Sequence, residues 1–547
     1  MTSTDLMSSR KGHLFLWAAI VLVFLIHAVY LNCVAEDSFI AFRYARHLAS
    51  GHGLTWNVGK LPVEGYTNYL WVLLLALATL LHLSLPPFSQ VVGMAAGVGV
   101  IFYTYRFACD VLHQRATHSL LPCVLLAASG PFATWASSGM EATLFTLLVL
   151  MGCYYFALHL STHRSSHLLA SSVAMLLATL TRPEGLMCFA VLVVLYFVLA
   201  ETTFRASLGK FLPALLVYLV PLFAHFLWRL SYFGYPLPNT FYAKTGGSWY
   251  QFLRGAMYAG YFLVYFILPY LFLVALLVWE RSNAGRKAPF RPVRVMLREH
   301  HGIAICASLC AAYTLYIVAV GGDYMAMFRF FVPILPLIYL MIGYAISSLF
   351  ITVSQYSTKR ILAGACLSSA IATTLFQSTP AERLILHAPL FQHGQYQGVQ
   401  TERWHSARLT LIGRFFHDYK KGDDERLATD AIGAIGYYSD MTVYDVYGIV
   451  DTHIAHLTPR GKRIGWGLPA HEKSDPRYTF SLMPTFYMFS RELTKEPLPY
   501  PTFDHGDKDA VDAYIHAKYR VASVWLIDAK NHEEGYFSFL EMRNREG

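Results

Sequence analysis

The first 376 residues alternate between long apolar runs and short polar or basic breaks. The runs fall at 14–31, 69–85, 91–109, 119–136, 142–160, 168–181, 186–200, 211–230, 256–279, 303–320, 331–350 and 361–376. A helix needs about 20 mainly apolar residues to cross the hydrocarbon core, so this pattern predicts an α-helical polytopic membrane region. Beyond residue 376 the pattern changes. Residues 427–432 and 443–446 read as short strands around a glycine-rich connection at 433–436. Residues 521–527 read as another strand and 509–518 as a helix. The chain is therefore expected to divide into a transmembrane domain, 1–376, and a small α/β domain, 377–547. Gly433-Ala-Ile-Gly436 lacks the full glycine spacing of a dinucleotide-binding turn.

Composition agrees with a membrane solvent. Of 547 residues, 55% are apolar and only 14% charged, against about 25% charged in a soluble domain. The aromatic content of 15% excludes a disordered chain. The net charge of +9 divides into +12 over 1–376 and −3 over 377–547. The basic excess thus lies in the apolar part, where it marks cytoplasmic loops rather than a nucleic-acid face. All eight cysteines precede residue 367 and show neither CxxC nor Cys/His zinc spacing, so no disulfide framework or zinc site is predicted. The first run follows Arg10-Lys11 without a small-residue cleavage site, and reads as a retained span.

Charge sets the orientation. Residues 280–300 carry Arg281, Arg286, Lys287, Arg291, Arg294 and Arg298 against Glu280 and Glu299, the strongest cytoplasmic signal in the chain. Arg10 and Lys11 place the N-terminus on the same side. Nine apolar runs precede residue 280, so one does not cross; the best suspect is 69–85, which is only 17 residues long and interrupted by His82. With that run held at the outer face, every basic loop agrees, giving 11 spans, a cytoplasmic N-terminus and an external C-terminal domain. Of the 11 acidic residues in 1–376, Glu36, Asp37, Glu64, Glu141, Glu184 and Asp323 then fall at the outer face. Charge at membrane depth is costly and often functional; ordinary boundary charge is the alternative.

The first outer loop, 32–90, reads Glu36-Asp37-Ser-Phe-Ile-Ala-Phe-Arg43-Tyr44-Ala-Arg46-His47 and continues to Val63-Glu64-Gly65-Tyr66-Thr67-Asn68-Tyr69-Leu70-Trp71. Either carboxylate of the adjacent pair suits a general base. Residues 38–48 read as a helix carrying Arg43 and Arg46 on one side, and a guanidinium there suits a phosphate. The alternative is an interfacial helix with acids at its N-terminus. Further motifs are Ser138-Gly139-Met140-Glu141, Thr181-Arg182-Pro183-Glu184-Gly185, Pro236-Leu237-Pro238-Asn239-Thr240-Phe-Tyr242-Ala-Lys244, Gly321-Gly322-Asp323-Tyr324-Met325 with Arg329-Phe330, and Ala428-Thr-Asp430-Ala-Ile-Gly433-Ala-Ile-Gly436-Tyr437-Tyr438.

As an ordered set, over roughly residues 30–450, these motifs resemble the polytopic GT-C glycosyltransferases. The branch they resemble most contains the mycobacterial and corynebacterial terminal arabinofuranosyltransferases and their uncharacterised bacterial relatives. The resemblance implies a polyprenyl-phosphate sugar donor used at the periplasmic face of a bacterial plasma membrane, and a glycan or glycoconjugate acceptor of the cell envelope. The family's first-loop catalytic aspartate maps onto Asp37. Glu36 stands where an aspartate is more common, which leaves its role open. The acid of the next outer loop maps onto Glu141.

The implied chemistry asks for a base on one face of the sugar and phosphate stabilisation on the other. Asp37 is the expected base, and Arg43, Lys244 and Arg329 are candidates for the phosphate. One base without a nucleophilic partner suits single displacement with inversion. Glu64, Tyr66, Asn68, Glu141, Arg182, Glu184, Asn239 and Asp323 complete the candidate site. Lys244 alternatively snorkels at the interface, Arg329 pairs with Asp323, and Arg182 pairs with Glu184 at a helix boundary. Trp56, Tyr66 and Trp71 are either sugar platforms or part of the aromatic belt. No metal site is assigned, since the 23 histidines are scattered without HExxH; Mg, Mn or Ca enters only if Glu36, Asp37 and Glu141 converge. A transporter would want mid-span ionisable residues or inverted repeats. A non-catalytic envelope or motor-associated protein would not need Asp37.

Overall fold

In chain order the helices are α1 (Arg10–Tyr30), α2 (Ser38–Ala49), α3 (Tyr69–Leu80), α4 (Leu85–Asp110), α5 (Leu120–Ala128), α6 (Gly130–Ala136), α7 (Ala142–Thr162), α8 (Ser165–Thr181) and α9 (Glu184–Leu199). They continue as α10 (Phe204–Phe233), α11 (Asn239–Lys244), α12 (Trp249–Phe262), α13 (His301–Val320), a 3-10 turn Arg329–Ile334 and α14 (Leu335–Val353). This computed structural model describes residues 10–200, 203–244, 249–267, 270–271, 297–353, 364, 368, 398–458, 471–502 and 508–543. Residues 280–296 of the basic loop, most of the 361–376 run and the expected boundary at 376/377 lie outside the described residues.

Among the described residues, six helices are long and apolar enough to cross a membrane: Lys11–Tyr30, Leu85–Asp110, Ala142–Thr162, Phe204–Phe233, His301–Val320 and Arg329–Ser347. Tyr69–Leu80, in the run expected not to cross, has 12 residues, or about 18 Å at 1.5 Å per residue against a core of about 30 Å. The apolar run at 119–136 is two helices rather than one. Ser129 is extended between them and Pro131 occupies the first turn of α6, where its missing N–H costs nothing. Likewise Arg182 is extended ahead of Pro183, which disfavours helical geometry in the preceding residue and separates α8 from α9. In the α7–α8 pair, Ser171 Oγ donates to the Gly152 carbonyl at 2.8 Å, and a Cβ on Gly152 would come within 2.5 Å of Met175. Small residues permit such close helix approach in a membrane.

Contacts divide the chain into two units. The first comprises Met1–Cys33, Ser89–His225 and Gln251–Val399; the second comprises Val34–Phe88, Phe226–Tyr250 and Gln400–Gly547. The loop at 34–88, expected at the outer face, therefore belongs with the C-terminal region. That region adds α15 (Val399–Tyr419), β1 (Arg426–Thr429), α16 (Gly433–Ser439), β2 (Thr442–Asp445), α17 (Thr452–Ala455), α18 (Pro476–Ser481), β3 (Phe486–Tyr487), α19 (Lys508–Lys518), β4 (Tyr519–Asp528) and β5 (Glu533–Met542).

The sheet order is β2-β1-β3-β5-β4. β1 runs parallel to β2 and β3, whereas β5 is antiparallel to β3 and β4. Ala428, Val446, Phe480, Tyr487, Val511, Ile515, Tyr519 and Leu540 form one core cluster of this unit. The expected strand 427–432 stops at Thr429, and the expected loop 433–436 is instead the first turn of α16.

Candidate active site

In the second unit, Glu36 and Asp37 stand immediately before α2. Asp37 occupies the N-cap position, but its side chain does not cap the helix. Its carboxylate is thus not committed to the structural task that an acid there commonly performs. Glu36 is buried, and its Oε1 accepts from the Ala434 amide at 3.1 Å. The glycine at 433 is what lets α16 come so close: a Cβ there would collide with the Glu36 carbonyl oxygen and lie 2.6 Å from its Oε1. Burial, and then the neighbouring Asp37 charge, push the Glu36 carboxyl up to about 8, against the opposing pull of the Ala434 and Gly433 amides and Arg491. At neutral pH Glu36 therefore holds its proton.

Arg43 has a different employment from the phosphate role expected of it. It is 3% exposed, and its Nε donates to the Trp56 carbonyl at 2.8 Å, Nη1 to the Gly436 carbonyl, and Nη2 to the Met441 carbonyl at 2.8 Å and Asn57 Oδ1 at 3.2 Å. It also lies 4.6 Å from the Trp56 ring centroid. The guanidinium staples the first outer loop to α16 and the start of β2. Arg46 pairs with Asp440 at 3.0 Å.

Glu64 and Asn239 come together. Glu64 Oε2 accepts from Arg229 Nε at 2.7 Å, and the Glu64 carbonyl accepts from the Asn239 amide at 3.0 Å. Asn239 Nδ2 donates to the carbonyls of Gly448, Ile449 and Asp451 at 2.8, 3.0 and 3.3 Å. Burial raises the Glu64 carboxyl to about 7 despite Arg229. Trp56, Tyr66 and Trp71 are 2%, 4% and 1% exposed, so their rings pack the interior rather than offer a sugar platform. Tyr66 meets Tyr44 edge-on at 4.8 Å. Asn68 directly precedes α3, and Lys244 is the exposed last residue of α11.

The first unit gathers the other candidates. Arg182 Nη1 donates to Glu141 Oε1 at 2.8 Å and Nη2 to Glu184 Oε1 at 3.3 Å, while Tyr316 donates to that same Glu184 oxygen at 3.1 Å. Arg329 forks onto Asp323, with Nε at 2.6 Å and Nη2 at 3.1 Å. Arg329 also lies 5.2 Å from the Phe330 ring and 5.5 Å from that of Trp135. Gly321 and Gly322 have φ of +86° and +70° ahead of Asp323, and Met327 and Phe328 adopt +57° and +47° just before Arg329. Two consecutive non-glycine residues in the left-handed region are costly and mark a backbone held in place by its surroundings. Beside this turn lies a cavity of about 530 Å³ lined by Ala259, Phe262, Leu263, Thr314, Phe331 and Met341 among others, with Thr314 the one hydroxyl among the described lining residues.

Several participants were not legible beforehand. Arg229 sat unremarked at the end of an apolar run. Arg254, whose Nε donates to the Gly321 carbonyl at 2.8 Å, lay at the start of another. Arg491, paired with Asp430 at 2.9 Å, and His405 had no motif around them. Among the described residues no group of three or more His, Cys, Asp or Glu is arranged to hold a metal ion.

Residues 392–539 match a domain family of unknown function, DUF8728. The chain is 24% identical over 335 residues to a terminal beta-(1->2)-arabinofuranosyltransferase of Corynebacterium glutamicum, covering 53% of this chain and 45% of that protein. It is 26% identical over 322 residues to the Mycobacterium tuberculosis protein of the same name, covering 53% and 49%. The chain thus spans about half the length of these relatives. Among solved structures it is similar to ArnT from Cupriavidus metallidurans bound to undecaprenyl phosphate, with a TM-score of 0.50, 16% identity, and 80% of this chain and 86% of that one covered. It is equally similar to the oligosaccharyltransferase AglB from Archaeoglobus fulgidus, in complex with an inhibitory peptide and a dolichol-phosphate, with a TM-score of 0.50, 11% identity and coverages of 80% and 65%. The chain is a multi-pass membrane protein with the fold of the GT-C glycosyltransferases.

Proposed function

We propose that the chain is an inverting glycosyltransferase. It moves a pentose, arabinofuranose by its relatives' names, from a polyprenyl phosphate to a hydroxyl of a cell-envelope glycan at the periplasmic face. The observation that carries the reading is the division of labour at residues 36 and 37. Glu36 is buried, fixed by the Ala434 amide and raised to about 8, while the Asp37 carboxylate does not cap α2. With Glu36 holding its proton, Asp37 is the member of the pair proposed to act as the base.

Asp37 takes the proton of the acceptor hydroxyl as its oxygen bonds to the anomeric carbon. The bond from that carbon to the phosphate oxygen breaks, and polyprenyl phosphate leaves with the electron pair. The transition state is oxocarbenium-like and attacked from the face opposite the phosphate, so the anomeric configuration inverts. Lys244, the exposed last residue of α11 and in the same unit as Asp37, is the proposed phosphate partner.

The test is Asp37→Asn in purified full-length protein, assayed with a polyprenyl-phosphate pentose and an oligosaccharide acceptor. A general base contributes about 10²–10⁴-fold, so transfer should fall by that factor. Transfer within 2-fold of wild type would remove the mechanism.

A further inference from the structure

The carboxyl edge of the parallel strands carries polar groups that the core of the second unit does not use. β1 ends at Thr429 and leads into Asp430. β2 ends at Asp445, with Tyr447 two residues on, and β3 ends at Tyr487, four residues before Arg491. In open α/β sheets ligands bind outside this edge, because the chain leaves each strand there in a loop free to carry side chains. Asp430 and Arg491 are part-exposed, at 21% and 36%, and paired through Oδ2 and Nη2 at 2.9 Å. The other carboxylate oxygen, Asp430 Oδ1, is shielded from solvent and has no hydrogen-bond partner among the described residues. A shielded carboxylate oxygen without a donor is an acceptor awaiting one.

The same edge is electrostatically continuous with the acid pair. His405, half-buried on α15, is held neutral with its pKa lowered to about 4, by burial and then by Arg491, while Asp37 pulls the other way and His471 adds to the lowering. Arg491 acts in turn on Glu36 and on Tyr447. The Tyr447 and His471 rings meet at 4.7 Å, close to perpendicular. Asp430 and Arg491 offset one another's charge, and the shielded Oδ1 accepts but cannot donate. Such a pair disfavours an anion and suits a neutral polyol, whose hydroxyls donate to a carboxylate and accept from a guanidinium.

We propose that Asp430 and Arg491, at the carboxyl edge of the parallel strands, bind the acceptor as a neutral oligosaccharide and set which of its hydroxyls is offered to Asp37. This rests on the transferase reading. In it, Asp430 Oδ1 accepts from one sugar hydroxyl, and the Arg491 fork donates to an adjacent oxygen.

The test measures binding directly, by titration calorimetry on the detergent-purified full chain, with a neutral arabinofuranosyl hexasaccharide and an anionic hexagalacturonate. The neutral sugar should bind, and the anionic one should not compete. Asp430→Asn and Arg491→Lys should each weaken binding at least about 10-fold, the loss of one charge-assisted hydrogen bond. They should raise the acceptor KM while leaving kcat at saturating acceptor and the donor KM unchanged, a split that a merely structural role would not produce. Arg491→Lys keeps the charge and loses only the fork, so it remains readable if Asp430→Asn lowers the unfolding temperature. Asp37→Asn should bind the hexasaccharide within 2-fold of wild type. If it does so and still transfers sugar, the role of Asp37 as base falls and the subsite stands; binding by a wild-type protein that transfers no pentose would sink the transferase reading and leave the subsite. Wild-type affinity in both edge variants, tighter binding of the anionic sugar, or no binding of the neutral one would each overturn the proposal.

Discussion

Arg43 offers a sharp choice between a ligand and a staple. Its guanidinium donates to three backbone carbonyls, those of Trp56, Gly436 and Met441, and to Asn57 Oδ1. Burial, and then the nearby Arg46, lower its pKa to about 9 against the pull of Asp440 and Tyr44, and it remains charged at neutral pH. Arg43→Gln keeps the stem and removes the fork. Each carbonyl left buried without a donor costs about 1–3 kcal/mol. Losses among neighbours do not add, so the expected total is about 3–5 kcal/mol, the range for breaking a buried charged network. In a unit of 150–250 residues each kcal/mol moves Tm by about 2–4 °C, so unfolding in detergent, followed by near-UV circular dichroism, should drop by about 10 °C. Arg43→Lys should fare little better, since a point charge cannot serve carbonyls from three segments at once. A phosphate ligand would behave otherwise. An unchanged Tm with a donor KM raised 10-fold or more would refute the staple and restore the role suggested by the helical spacing of Arg43 and Arg46.

Other outcomes follow from the same geometry. Glu36, Glu64 and Asp445 have carboxyls raised to about 8, 7 and 6, each chiefly by burial. The folded state therefore binds more protons than the unfolded one above about pH 4. Their contribution to stability is full below that point and lost as pH rises through 6 to 8, so Tm of the full chain should fall between pH 5.5 and 8.5. Glu36→Gln should flatten the upper part of that profile and leave transfer at pH 7 within a few-fold; an unaltered profile would show that Glu36 does not titrate there. Asn239→Ala removes three donations to the 448–451 loop and should cost about 1–3 kcal/mol by thermal unfolding, with no cost meaning that water replaces the amide. Arg182→Met strands the Glu141 and Glu184 carboxylates and should cost about 3–5 kcal/mol. Combining it with Glu141→Gln and Glu184→Gln should recover most of that loss, and failure to recover would deny that the three form one ionic unit.

What could be read in the chain beforehand was whatever a local rule decides. α2 was legible because its apolar positions recur at helical spacing, and the break at Arg182-Pro183 because proline forbids continuation. α16 was not, for a physical reason. Gly433-Ala-Ile-Gly436 has poor intrinsic helicity, and its first amides are satisfied by Glu36, 398 residues away in sequence. β3 is two residues long and carries no period at all, while β5 is buried over Phe537, Ser538, Phe539, Leu540 and Glu541, which erases the alternation that marks a half-buried strand.

The six acids expected at the outer face show where composition stops being informative. Counted together they suggest one acidic site; resolved, they separate into different chemistries. Glu141, Glu184 and Asp323 are held by Arg182 and Arg329 in the first unit, and Glu64 by Arg229 in the second. Each of these four carboxylates orients a guanidinium, and removing either partner leaves the other buried and uncompensated. Glu36 is already protonated at neutral pH. Asp37 stands beside that neutral carboxyl, and it is the carboxylate proposed as the base. The Ala434 contact gives Glu36 a reason to be glutamate rather than the commoner aspartate. The longer side chain reaches the Ala434 amide, anchors the acid pair to α16, and keeps the second charge out of the site.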